Sequence, residues 1–517
     1  MSYRYFVAKK SDGKLHSAGT TSCQFGNPMT YHGRRQGYFG EWDWDGEKQQ
    51  LTAQVDALGF FNLFYYADRD CVMISPSPIQ LISLGAPADP DPRALAVFFM
   101  IGWQLEQDTP FKHIKVLPPN GTLTWRDGTW SVSGGKEICP ETAMSSTTAI
   151  DGFIDRFRSA VKSHLDSLDR ADGDILLPLS GGRDSRHILF EMRHFGRQPS
   201  RCLTHGNRLG CDPDVAAAID VAKAVQAEHE IVNNRSSPIR DQIIVLLMTH
   251  FCSDESAQFV AMSKHLGRMP HKPVLFDGLA GDVLSRNKAF SNPAMHTLCR
   301  RGEWGAVVDD GLRKTNDKIL SCSFADRASN LAKPYLDEAR SYLVETLKTY
   351  ENAADPWTAF LFWNRTRREI GQIPISILAG LGDRADVRCP YIDLDLVSHL
   401  MSVPFELTAD GKFHDKVIAA EFPEFAWLRY HDDYQANYIR PSVTEKLRII
   451  RDGVSAATRI NPANFALEFI AQVSPLFSAK SKSTLKWRLY KNCLDAVDSP
   501  AKASRFMDIV GRIESEA

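Results

Sequence analysis

The chain has 517 residues, 43% of them apolar and 24% charged, a globular composition too long for one ordinary core, so two or more domains are expected. Its 61 basic and 63 acidic residues give a net charge of −2, without the basic excess of a nucleic-acid binder. No apolar run approaches the roughly 18 residues that span a bilayer, and the opening Met1-Ser2-Tyr3-Arg4-Tyr5-Phe6 has no signal-peptide pattern, so a cytoplasmic location without membrane contact is expected.

From residue 1 to about 135 the chain reads as β-rich. Short apolar segments alternate with the turn pairs Asp12-Gly13, Asp45-Gly46, Asn120-Gly121 and Asp127-Gly128. Leu63 to Tyr66, Cys71 to Ser75 and Gly121 to Trp125 are expected strands. Pro92 to Ile101, preceded by Asp91, is an expected helix. The pattern changes near Gly134-Gly135. Ile150 to Leu168 repeats apolar residues at helical spacing. Asp174 to Leu179 is a short apolar run before a glycine-rich turn and reads as a buried strand. A helix, a strand at Arg201 to Thr204, a helix from about Asp212 to Gln226 and a strand at His229 to Val232 follow. That alternation predicts a doubly wound parallel sheet, and the remainder is mostly helical. The 10 cysteines are scattered without a CxxC pair, and Cys202 and Cys211 have no familiar metal spacing, so reduced, mostly buried thiols are expected.

The most informative segment is Leu179-Ser180-Gly181-Gly182-Arg183-Asp184-Ser185, between an expected strand and an expected helix. Gly181 and Gly182 let the backbone turn tightly and approach a ligand. N–H groups at the start of the helix can hold an anion. Ser180 and Ser185 add hydroxyls, Thr204 at the end of the neighbouring strand is a further candidate for binding the cofactor, and Asp184 can hold Mg²⁺ against phosphates. The Walker pattern GxxxxGK[ST] is absent. Pro178 cannot donate a ladder hydrogen bond, so the strand is expected to bend before the loop.

Ser-Gly-Gly-x-Asp-Ser after a strand resembles the pyrophosphate loop of the ATP pyrophosphatases, which split ATP between the α and β phosphates. Three later segments resemble asparagine synthetase in particular. They are Phe276-Asp277-Gly278-Leu279-Ala280-Gly281-Asp282, then Asp386-Val387-Arg388-Cys389-Pro390-Tyr391-Ile392-Asp393, then Gly411-Lys412-Phe413-His414-Asp415-Lys416. The resemblance implies ATP and Mg²⁺ as cofactors, Asp282 as a second Mg²⁺ carboxylate facing Asp184, and Lys416 (or Lys412) near the α-phosphate. The middle segment is expected to bury Val387, Tyr391 and Ile392 while Asp393 caps a helix from Leu394 to Met401. Asp56-Ala57-Leu58-Gly59, Phe64-Tyr65-Tyr66, Ser75-Pro76-Ser77 and Val116-Leu117-Pro118-Pro119-Asn120-Gly121 carry a fainter likeness in the first part. The implied architecture is a degenerate Ntn-hydrolase-like β-sandwich with helices over 1–135, a structural remnant packed against the synthetase, and a doubly wound parallel α/β ATP-pyrophosphatase domain with a helical extension over 145–517.

The family's glutaminase uses a cysteine at position 2, where this chain has Ser2; the first cysteine is Cys23. The nitrogen is therefore expected to come from an amine on the substrate or on a second substrate. β-Lactam synthetases, carbapenam synthetases and lasso-peptide cyclases resemble this design. Aligning on Leu378-Ala379-Gly380 places Glu369 near the Glu of the Tyr–Glu pair that deprotonates the amine in the lactam-forming enzymes. Arg365, Arg367 and Arg368 read either as anion ligands or as a solvated helix face. Arg183, and Arg186-His187, stand where the family has apolar and small residues. The expected activity is an AMP-forming carbon–nitrogen ligase acting on a small-molecule or peptide carboxylate and an amine. Free ammonia as nitrogen source and a nucleotide-binding scaffold are the alternatives, and self-association or a complex with pathway proteins stays open.

Overall fold

A computed structural model of the chain describes residues 4–31, 33–168, 174–206, 212–233, 259–312, 331–371, 384–434 and 496–515, with isolated positions 241, 244, 245, 248, 249, 444, 447, 451 and 494. Ser2 and the segment Leu378-Ala379-Gly380 lie outside the described residues.

The first part is antiparallel. Its strands are β1 (Phe6–Ser11), β2 (Lys14–Gly19), β3 (Ser22–Gly26), β4 (Met29–Tyr31), β5 (Arg34–Gln36), β6 (Phe39–Asp45), β7 (Gln50–Val55), β8 (Phe64–Ala67), β9 (Cys71–Ser75), β10 (Lys115–Val116), β11 (Thr122–Arg126) and β12 (Thr129–Ser133). One five-stranded sheet runs β10-β8-β9-β1-β2, another β12-β11-β7-β6-β3, and β4 and β5 form a two-stranded pair. Turn chemistry sets these hairpins. Asp12-Gly13 joins β1 to β2 with φ of 53° and 74°, and Asp127-Gly128 joins β11 to β12 with φ of 47° and 80°, the left-handed pair that matches strand twist. The sheets meet through apolar inner residues such as Phe6 and Trp44, whose rings lie 4.9 Å apart. Helices α1 (Pro78–Ser83) and α2 (Pro92–Ile101) follow β9; Asp91 caps α2 through Ala94 N–H, and Gly102 ends it at φ 95°.

The second part begins, after an irregular stretch, with α3 (Ser146–Asp166). Its sheet holds β13 (Ile175–Pro178), β14 (Arg201–Gly206), β15 (His229–Asn233), β16 (Val274–Phe276) and β17 (Asp386–Arg388) in the order β15-β14-β13-β16-β17, every pair parallel. Helices α4 (Asp184–His194) and α5 (Pro213–Val225) cross between the first three strands. The chain then passes to the other side of β13, so the winding reverses between β13 and β16. The loops leaving those two strands open a crevice at their carboxyl ends, the place where sheets of this kind hold ligands. Pro178 stays in register opposite Leu203 and ends β13; Leu179 N–H then donates to Leu203 O at 2.8 Å, so the ladder is resumed directly and the strand does not bend away.

Two features join the parts. The helix Pro500–Ser515 packs on α1. The π-helix Leu361–Ile370 sends two buried guanidinium groups into the first part: Arg367 donates to Gly59 O (2.9 Å) and Leu117 O (3.0 Å), and Arg368 to Leu105 O (3.3 Å) and Asp108 O (2.7 Å). Both side chains are buried. They are neither a solvated helix face nor anion ligands, because main-chain carbonyls from the other part use their donors. The described cysteines carry no disulfide, and burial raises the thiols, Cys202 and Cys299 to about 12. No helix among the described residues is long and apolar enough to cross a membrane.

Candidate functional site

The loop after β13 is tied to itself. Ser180 N–H donates to Ser185 Oγ at 3.0 Å, Gly182 N–H to Ser180 Oγ at 3.1 Å, and Gly181 N–H to Asp214 Oδ1 in the first turn of α5 at 3.0 Å. Helix α4 starts immediately afterwards with no side-chain cap, which leaves its first-turn N–H groups directed at the crevice, where an anion can take them. Thr204 is buried one strand away, but its hydroxyl lies 2.6 Å from Leu179 O and 2.7 Å from His229 Nε2. With one hydrogen to give, Thr204 braces the base of the loop; its donor is not free for a cofactor.

Asp184 projects from the first position of α4 and meets the loop after β16. A Cβ on Gly281 would lie 2.6 Å from Asp184 Oδ1, and one on Gly278 would lie 2.8 Å from Asp184 Cβ. Glycine at both places is what lets the second loop close over this carboxylate. Between them Ala280 is held at φ 73°, a left-handed conformation that costs a residue with a Cβ about 1 kcal/mol or more. Burial pushes the Asp184 carboxyl up to about 7, while the Arg183 charge and then the nearby Asp282 main-chain N–H pull it down. Asp282 is also raised to about 7, by burial first and then by the Asp184 charge, and Asp277 to about 6 by burial. Three carboxyls thus crowd one enclosed place, and Asp184 Oδ1 has no hydrogen-bond partner there.

Three arginines surround the loop in different ways. Arg183 pairs with Asp415 through Nε and through Nη2 (3.1 Å) and stands 4.3 Å over the Tyr430 ring. Arg186, fully buried, donates to Gly182 O (2.9 Å), Gly181 O (3.2 Å), Leu428 O (3.3 Å) and Arg429 O (2.9 Å). Residues 428–431 are thereby strapped across the loop, with His431 N–H on Gly181 O at 3.1 Å. Arg365 comes from the π-helix; its charge acts on Asp282, and its Nε lies 4.0 Å from Glu369 Oε2. Glu369 is therefore buried beside the arginine that faces the crevice.

Lys416 is placed elsewhere. In the helix Phe413–Glu421 its ammonium pairs with Asp410 Oδ2 at 2.8 Å, and both side chains are about half exposed. The helix turns His414 and Asp415 inward instead. His414 Nδ1 lies 3.4 Å from Asp184 Oδ1, and Asp415 holds Arg183. Lys412, one residue before the helix, is exposed. The positive charge that acts on Asp184 is that of Arg183.

Val387, Tyr391 and Ile392 are buried, and Asp393 caps the helix Leu394–Ser402 through Asp395 and Leu396 N–H. Tyr391 does more than pack: its hydroxyl donates to Asp184 O at 3.3 Å. His414, Tyr391 and the strap 428–431 are site residues that motif reading passed over. The one trace of them in the sequence is the pair of bulky residues, Arg186 and His187, in a place where small ones are usual.

A profile of the family described as asparagine synthase matches residues 152–418, just over half of the chain. The chain belongs to the asparagine synthase family. Members are ATP-using ligases and typically depend on Mg²⁺, and the matched stretch contains both crevice loops, the π-helix and His414. Among curated proteins none matches the chain.

Proposed function

We propose that this asparagine synthase family protein is an AMP-forming ligase that adenylates a substrate carboxylate and passes the acyl group to an amine without hydrolysing glutamine. The observation that carries the reading is the meeting of Asp184 and Asp282 at the uncapped start of α4. The donor set fits Mg²⁺: it is all oxygen, and one buried Asp184 oxygen lacks a partner. When bound there by Asp184 and Asp282, Mg²⁺ would neutralise charge on the phosphates of ATP.

The residues divide the work. The first-turn N–H groups of α4 and the Ser180 and Ser185 hydroxyls, 3.3 Å apart, hold the phosphate tail. A carboxylate oxygen of the substrate then attacks the α-phosphorus; the bond to the β-phosphate oxygen breaks and pyrophosphate leaves. Arg365, whose charge acts on Asp282, orients that carboxylate. An amine nitrogen next attacks the acyl carbon, Glu369 takes its proton, and AMP departs. The strap 428–431 over the loop limits water that would hydrolyse the adenylate. The amine belongs to the acid itself or to a second molecule; free ammonia is the alternative nitrogen source.

The test is ATP–pyrophosphate exchange with pools of carboxylic acids, followed by product analysis. AMP and pyrophosphate, lost in Asp184→Asn, are expected. ADP and phosphate, or activity that survives Asp184→Asn, would overturn the reading.

A further inference from the structure

Behind Asp184 a second set of titratable groups runs into the core, and the ligase chemistry uses none of its inner members. His414 Nε2 lies 3.1 Å from His187 Nδ1, and His187 Nε2 lies 2.7 Å from Glu421 Oε2. Glu191 follows His187 by one turn of α4, on the same face, and its carboxyl rests against that of Glu421. Arg158 of α3 takes the outer oxygens: Nε is 3.2 Å from Glu191 Oε2, and Nη2 is 2.5 Å from Glu421 Oε1. The side chains of His187, Glu191 and Glu421 are 0%, 0% and 1% exposed.

Counting hydrogens along this chain exposes a conflict. A neutral imidazole has one N–H and one lone pair. If His187 donates to Glu421, its Nδ1 must receive from His414 Nε2, and His414 Nδ1 then turns a lone pair on Asp184 Oδ1. If His414 donates to Asp184 instead, His187 Nδ1 must donate to His414, and His187 Nε2 turns a lone pair on Glu421 Oε2. Either direction leaves two acceptors face to face while the carboxyls are ionised. The Tyr391 hydroxyl, 3.3 Å from His414 Nε2, gives its hydrogen to Asp184 O and does not resolve this. Without a proton shared with the Glu421 carboxyl, Glu191 Oε1, buried, has no hydrogen-bond partner; Asp184 Oδ1 and His414 Nδ1 have none either. The charges do not balance at the inner end either, where Glu191 and Glu421 share Arg158. A positive charge at the inner end removes both problems.

We propose that His187, Glu191 and Glu421 form a buried site for one divalent transition-metal ion such as Zn²⁺, separate from the nucleotide crevice. Each offers a ligand atom, and these atoms lie within 4.8 Å of one another. One imidazole and two carboxylates are a donor set for such an ion. His187 Nε2, Glu421 Oε2 and Glu191 Oε1 face it, while Arg158 holds the other carboxylate oxygens as an outer support. The ion sets the direction of the chain: His187 Nδ1–H donates to His414, and His414 Nδ1–H donates to Asp184. Metal at the inner site thus holds the crevice carboxylate in one orientation. The site itself does not depend on the ligase reading, since it is probed by metal alone.

The experiment uses the full chain, stripped with chelator and then dialysed against Zn²⁺ without nucleotide, with Co²⁺ as a visible-absorbing substitute. One equivalent of tightly held metal is expected. Glu191→Gln and His187→Gln should each weaken it at least 100-fold, and Asp282→Asn, in the crevice, should leave it in place. Zn²⁺ should raise the Tm of the wild type but not that of Glu191→Gln, and Glu421→Gln supplies a second ligand variant if His187→Gln does not fold. Binding that is absent from the wild type, or undiminished in Glu191→Gln, would overturn the proposal in favour of a proton shared by the two carboxyls. Loss of the ion in Asp282→Asn would overturn it by placing the metal at the crevice.

Discussion

His164 shows how one buried side chain writes a pH dependence into the whole protein. It sits on α3 with its ring 6.1 Å from that of Phe276. Burial, helped by the Arg388 charge, lowers its pKa from 6.5 to about 3. The folded state keeps this ring neutral while the unfolded chain protonates it near 6.5. Its contribution to stability is therefore complete above pH 6.5 and is lost as pH falls from 6.5 towards 3. Between pH 8 and pH 5 the loss from this group is about 2 kcal/mol. His164→Leu should remove that share, so urea denaturation of wild type and variant at the two pH values should diverge by about that amount. Arg186 makes a different kind of contribution. Its guanidinium is the buried donor for four carbonyls, and Arg186→Met would leave them facing one another unpaired. A loss of about 3 kcal/mol or more is expected, with faster proteolysis near residues 428–431 as a second measure.

Among the elements, the loop between β16 and the Asp282 turn is the most sensitive to small change. A methyl group at Gly281 collides with Asp184 Oδ1, yet the loop ends a buried strand that is already paired on both sides. Gly281→Ala should therefore lower pyrophosphate exchange about 100-fold, the scale of an ångström-sized misplacement, while the Tm stays close to that of the wild type. Both crevice loops were legible in the sequence, because strand, glycine turn and helix are local patterns and their side chains are near neighbours along the chain. The strands Cys71–Ser75 and Arg201–Gly206 and the helix Pro92–Ile101 were legible for the same reason. The π-helix was not. Arg367 and Arg368 belong to a charged run that looks solvated, but their acceptors are carbonyls 250 to 308 residues away, and a main-chain carbonyl leaves no mark in a sequence. The rotation of the helix that carries Lys416 was not legible either. A motif gives the residues of a helix but not its rotation, and the rotation here carries His414 and Asp415 inward.

At the scale of the whole molecule, the π-helix makes the first part relevant to chemistry it does not perform. The segment that carries Arg365 and Glu369 is fixed by Arg367 and Arg368, whose partners lie in the other part. Arg367→Leu should strand two carbonyls and cost about 2–4 kcal/mol in chemical denaturation. A chain starting at residue 136 would lose the carbonyl partners of both guanidinium groups and uncover the surface that the first part buries. It is expected to give no cooperative unfolding transition by circular dichroism, whereas the full chain gives one; a cooperative melt of the shortened chain would show that the parts fold apart. The two-part layout itself could be read from the change in pattern near Gly134-Gly135, while the strand order that brings β13 beside β16 depends on long-range pairing.

The joint between the parts reads peptide oxygens, and every amino acid supplies the same one. Side chains at Leu105, Asp108 and Leu117 can drift without loosening the grip, provided the backbone keeps its course, whereas the two gripping positions have little freedom to change. Such a seam tolerates change in the side chains of one partner while the backbone it grips keeps the two parts firmly attached.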